Sequence, residues 1–125
     1  MNSSGFIPGQ HPIDSYGNGG FRFGGMSHRG SLLALPSGTQ AIEIVEGGTI
    51  NEALLAPLWR EPPGAVELLL VGTGLNLIPL PELLRWALRT KGIRFEPMPT
   101  GAAARTYNIL LGEKRLVAAL LVAVP

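Results

Sequence analysis

The apolar positions of the chain fall into two regimes. From Ile13 to Val45, short apolar stretches alternate with the turn clusters Gly17-Asn18-Gly19-Gly20, Gly24-Gly25, His28-Arg29-Gly30 and Pro36-Ser37-Gly38. This pattern predicts antiparallel strands near 13–16, 21–23, 31–35 and 40–45 joined by tight turns. Ser31-Leu32-Leu33-Ala34-Leu35 is apolar without alternation, which places it in the buried part of a sheet. Thr49-Ile50-Asn51-Glu52 fits a capping box and predicts a short helix that Pro57 stops or kinks near Ala56, with 60–64 as a connector. Beyond it the pattern becomes βαβαβ. Strand 66–71 carries the run Leu68-Leu69-Leu70-Val71, expected of a strand covered on both faces. A helix follows from Pro81, with Leu80, Leu83, Leu84, Ala87 and Leu88 at helical spacing and Gly92 as terminator. Then come strand 93–96, a helix over 102–111 capped by Thr100 and ended by Gly112, and a last strand over 116–124. Strands separated by ten-residue helices predict a sheet with parallel members and right-handed crossovers.

Composition narrows the class. The chain has 125 residues, 46% of them hydrophobic and 15% charged, enough for one core and one domain over 1–125, with 1–12 expected as a flexible tail. The 17 glycines and 11 prolines indicate a loop-rich protein whose apolar content is nevertheless too high for disorder. The absence of cysteine removes disulfides, thiolate metal sites and thiol nucleophiles. The longest uncharged apolar run, Leu116 to Val124, is well short of the about 20 residues of a membrane-spanning helix. With no recognisable secretory signal, a cytoplasmic location is the default expectation.

The formal net charge of +1 hides a division. Residues 1–84 hold three cations against seven anions, and residues 85–115 hold seven cations, Arg85, Arg89, Lys91, Arg94, Arg105, Lys114 and Arg115, against Glu96 and Glu113. Such a segment reads as a solvated face or as a surface for an acidic partner; the near-neutral whole argues against nucleic acid.

Candidate chemistry is sparse. Gly72-Thr73-Gly74 after a strand, with Glu96 ending the next, suggests a dinucleotide site, but Leu77 replaces the third glycine and the helix begins only near Pro81, away from where a pyrophosphate would lie. Parallel strands would bring Gly72, Thr73, Gly74, Met98 and Thr100 to one end of the sheet, where the donors of the next helix and Arg105 could hold a small anion; the alternative is close helix-on-sheet packing around small residues. Arg105-Thr106-Tyr107-Asn108 is the densest polar cluster on a helix, read either as a binding surface shared by Arg105 and Asn108 or as an anchor satisfying buried backbone. His11, Asp14 and His28 lack a nucleophile elbow and read as turn residues. No catalytic residue, metal site or cofactor is expected.

The segments around Tyr16-Gly17, Phe21-Arg22-Phe23-Gly24-Gly25, Gly30-Ser31-Leu32-Leu33, Gly72-Thr73-Gly74, Glu96-Pro97-Met98-Pro99-Thr100, Arg105-Thr106-Tyr107-Asn108 and Glu113-Lys114-Arg115 resemble the small-domain family of the mitochondrial respiratory complex I assembly factor three. The adipogenesis-associated relative and many bacterial proteins of unknown function belong to it, and the chain looks like a bacterial single-domain member. The resemblance implies a three-layer α/β domain: a central mixed sheet, helices packed on it and a small N-terminal β layer. It implies no enzyme activity, and it places Glu96, Met98, Thr100, Arg105, Tyr107 and Asn108 at the centre of the family surface. Pro99 and Ala104 depart from the family pattern, which commonly has an acid and a cysteine there. The expectation is a non-catalytic protein-binding domain acting in assembly of a respiratory membrane complex, with Arg85, Arg89, Lys91 and Arg94 as partner surface. The alternative is a small-molecule or anion binder, with enzyme activity left open, at the strand ends. A homo-oligomer formed through the β layer is a third candidate.

Overall fold

The computed structural model describes residues 5–44 and 47–125. Nine strands form two sheets. The larger contains β1 (Phe6–Pro8), β5 (Ser31–Leu35), β6 (Gly38–Ile42), β7 (Leu68–Gly72), β8 (Arg94–Met98) and β9 (Val117–Leu121), in the order β1-β6-β5-β9-β7-β8. β7 runs parallel to both β8 and β9, whereas β1, β5 and β6 add antiparallel pairs, so the sheet is mixed. The smaller sheet is the meander β2 (Ser15–Gly17), β3 (Gly20–Phe23) and β4 (Met26–Arg29). Three α-helices, α1 (Ala56–Trp59), α2 (Glu82–Thr90) and α3 (Thr100–Gly112), complete the domain, with a 3-10 turn at Ala53–Leu55 leading into α1.

The apolar runs become strands because they are covered on both faces. Leu33 and Leu35 of β5, Leu69 and Val71 of β7, and Ala118 and Leu120 of β9 join Leu55, Leu58, Leu84 and Leu88 in a core on the α1 and α2 side. Their alternate neighbours Leu32, Ala34, Leu70, Val117, Ala119 and Leu121 pack with Ala103, Ala104 and Tyr107 of α3 and with Ile13, Phe21 and Phe23 of the β layer. The alternation of side chains along a strand thus divides one continuous apolar segment between two cores. The expected three-layer α/β architecture is present.

Several expectations change in detail. Within the segment expected as a tail, β1 pairs with β6 over Phe6–Pro8; three residues are too short for a period-2 signal. β4 lies where a His28-Arg29-Gly30 turn was expected; apart from Met26 its residues are polar, and with most of them exposed they show no apolar alternation. Pro57 does not stop a helix but sits in the first turn of α1, where its missing N–H is harmless. Thr49 makes no capping box; the Asn51 side-chain oxygen accepts the Leu54 N–H at 3.0 Å instead. Pro81 is the residue before α2 and Pro99 the residue before α3, so Thr100 is the first helical residue and not its cap. The last strand ends at Leu121, and Val45 of the expected strand 40–45 lies outside the described residues. Leu83 leaves the apolar face assigned to it: it is 74% exposed, while Leu84 and Leu88 are buried.

Candidate functional site: a latched loop, an anchored strap and a basic edge

The parallel strands β7 and β8 bring Gly72, Thr73, Gly74, Met98 and Thr100 together. Thr73 N–H donates to the Met98 carbonyl (2.9 Å) and Thr100 N–H to the Gly74 carbonyl (2.8 Å). The Thr100 hydroxyl accepts the Gly74 N–H (2.9 Å) and donates to the Val122 carbonyl (2.7 Å). The Thr73 hydroxyl donates to the Asn76 carbonyl (2.6 Å) and accepts the Ile78 N–H (3.0 Å). Gly72 is required by contact: a Cβ there would stand 2.9 Å from Thr100 Cα and 3.0 Å from a Leu121 methyl. The first free donor of α3 is therefore taken by the loop itself. Tyr16, which the sequence reading did not connect to this region, lies over Gly101, where an added Cβ would clash with its hydroxyl.

The Arg105–Asn108 cluster separates. Tyr107 is fully buried and its hydroxyl donates to the His11 carbonyl (2.9 Å). Burial pushes its phenol up to about 12, opposed by a hydrogen bond from Gln10. Asn108 accepts the Ile13 N–H and donates to the Ile13 carbonyl, both at 2.7 Å, while the Gln10 amide donates to the Val117 carbonyl at 2.7 Å. Together they fasten residues 10–13, the strap from the large sheet to the β layer, across α3. Arg105 points away and is exposed. His11 and His28 flank the Phe23 ring at 6.1 and 6.2 Å between centroids, and each meets a backbone carbonyl, of Pro8 and Ser31.

Three cations of the 85–115 segment, Arg89, Arg94 and Arg115, meet at the β8 edge. Arg85 and Arg89, one turn apart on α2, flank Trp86, which is 64% exposed. Among the described residues the Arg85 Nε is buried without a hydrogen-bond partner. The Arg89 guanidinium lies 5.5 Å from the centre of the Phe95 ring, and the Lys91 ammonium 6.0 Å from that of Trp59, both within cation–π range. Arg94 and Glu96 line an open groove of about 630 Å³ whose remaining wall includes Arg115. Glu96 thus belongs to the edge and not to the glycine loop. The outward apolar pair Leu83 and Trp86 escaped the sequence reading; its signal was Trp86 lying off the Leu84–Leu88 stripe.

Comparison with known proteins places this architecture. An uncharacterized protein of Rhodobacter capsulatus is 42% identical over 94% of this chain and 88% of its own length. The human NADH dehydrogenase [ubiquinone] 1 alpha subcomplex assembly factor 3 is 31% identical over 90% of this chain; the chain spans only 61% of that protein's length. Among solved structures, a Bartonella henselae protein described as an outer membrane protein superposes with a TM-score of 0.90 at 49% identity, covering 95% of this chain and 99% of that one. Residues 13–122 match a single family model, and the chain belongs to the family described as protein of unknown function DUF498/DUF598.

Proposed function

We propose that the chain is a non-catalytic, protein-binding domain that acts in the cytoplasm in assembly of a respiratory membrane complex, with protein and not nucleic acid as its partner. The observation that carries this reading is the similarity to the complex I assembly factor, which extends over 90% of this chain. The surface chemistry supports it. Leu83 and Trp86 are held in solvent on a helix that buries Leu84 and Leu88 on its other face, with Arg85 and Arg89 beside Trp86 on the same helix. Exposed aromatics bordered by arginine are characteristic of binding surfaces. Among the described residues no helix is long and apolar enough to cross a membrane, so contact with a membrane complex would run through its protein subunits.

Affinity capture of the tagged chain from its native cells tests the reading. Respiratory-complex subunits are expected to co-purify, and Arg85→Glu/Arg89→Glu, checked for folding by circular dichroism, is expected to lose them. Capture that recovers no such subunit overturns it.

A further inference from the structure

Resting on the protein-binding reading, we infer that the open edge of β8 receives an extended, acidic segment of the partner. Three features of the edge converge. The first is its backbone. Arg94 N–H bonds the Glu67 carbonyl and the Met98 carbonyl bonds Thr73 N–H, so residues 94, 96 and 98 turn their peptide groups toward β7, and Phe95 and Pro97 turn theirs outward. Phe95 therefore offers an unpaired N–H and C=O to an added strand. Pro97 offers only a carbonyl, which limits pairing to a short register around Phe95 and guards the edge against indiscriminate strand addition.

The second feature is the groove beside this edge, about 630 Å³ in volume, floored by the half-buried side chains of Leu68, Ile93, Phe95 and Leu110. Leu68 and Leu110 come from the α3 face and Ile93 and Phe95 from the α2 face. Alternate side chains of one extended segment would therefore find an apolar surface on each side of the sheet. The third feature is charge. Arg89 from α2, Arg94 from β8 and Arg115 from the turn after α3 all line the groove, against the single carboxylate of Glu96. Arg89 is already laid over Phe95, which orients its guanidinium for a carboxylate at lower entropic cost than a free side chain. Two copies paired about Phe95 would answer Arg94 with Glu96, but Arg89 and Arg115 outnumber the one carboxylate the groove supplies, so its charge favours a different, acidic occupant.

The test uses the full chain, isotope-labelled for NMR, and two synthetic peptides: one alternating Glu with Val and Leu, the other with Lys in place of Glu. The acidic peptide is expected to shift the amides of Arg94, Phe95, Leu110 and Arg115, and to bind at least ~10-fold more tightly than the basic one. Arg94→Glu/Arg115→Glu, both at exposed positions, is expected to weaken it at least ~10-fold with the spectrum of the fold retained. Equal binding of the two peptides, shifts confined to other surfaces, or affinity unchanged by the charge reversal overturns the proposal. So does concentration-dependent self-association that broadens the β8 amides without peptide. Native-cell capture that survives Arg94→Glu/Arg115→Glu but is lost in Leu83→Glu/Trp86→Glu, whose residues lie outside the groove, would sink the groove while leaving the protein-binding reading standing.

Discussion

Asn108 satisfies both backbone groups of Ile13 through one side chain, at 2.7 Å each. Asn108→Ala leaves a backbone donor and acceptor without their partner next to a buried side chain, which costs roughly 1–3 kcal/mol. Urea unfolding should show that loss, and hydrogen exchange should localise it by faster exchange at Ile13. Asn108→Asp keeps the acceptor for the Ile13 N–H but sets an oxygen against the Ile13 carbonyl, so it should recover little. Tyr107 adds a pH signature. A phenol whose folded-state pKa stands at about 12, above its unfolded value of about 10, stabilises the fold while protonated. That contribution is complete below pH 10 and is lost as pH rises toward 12, roughly 2–3 kcal/mol in all at 1.36 kcal/mol per unit. Urea midpoints compared with Tyr107→Phe across this range should converge as the tyrosine protein loses its advantage; parallel curves would show that the phenol is not held by burial. The Arg-Thr-Tyr-Asn block was legible as an anchor from its polarity on an apolar helix. Its target was not, because the strap it holds lies some 95 residues away and leaves no local pattern.

Elements repeat the lesson at larger spacing. β5, β7 and β9 were legible because a run of consecutive apolar residues needs cover on both faces, and α2 and α3 because their buried residues recur at helical spacing. β1 and β4 were not, since one is three residues long and the other presents polar, exposed positions. The glycine loop was visible as a motif, but its role depends on a contact between β7 and α3. With Gly72 against Thr100 Cα at the distance a Cβ would need, Gly72→Ala must push the helix from the sheet, at a cost of about 1–3 kcal/mol. Thr100→Val keeps the volume but strands the Gly74 N–H and the Val122 carbonyl, and should cost about 2 kcal/mol or more. Thr100→Ser should restore most of it. Thermal denaturation of the three variants separates crowding from hydrogen bonding: recovery with serine and not with valine assigns the latch to the hydroxyl. Gly101→Ala meets only the tip of the partly exposed Tyr16 side chain, which can swing away, and should be much milder than Gly72→Ala.

At the scale of the molecule, the sheet order puts the chemistry of the two halves at opposite ends. β1 forms one edge and β8 the other, beside α2, where Arg89, Arg94 and Arg115 meet. Sequence showed this positive segment but could not say whether it was dispersed or focused, because the crossovers that return β9 to the middle of the sheet decide it. Focusing gives the molecule one basic, partly apolar end. A surface built for a partner should be separable from the core that supports it. Phe23 is 1% exposed between the β layer and α3, so Phe23→Ala opens a cavity and should cost about 3–5 kcal/mol. Leu83→Glu/Trp86→Glu changes two side chains that are 74% and 64% exposed, and should leave stability within about 0.5 kcal/mol of the parent. The same double substitution places two carboxylates beside Arg85 and Arg89, where they repel an acidic partner and compete with it for these arginines. Capture from native cells should then fail although the protein melts normally. Unchanged capture with unchanged stability would make the α2 face an ordinary solvated one and confine recognition to the β8 groove.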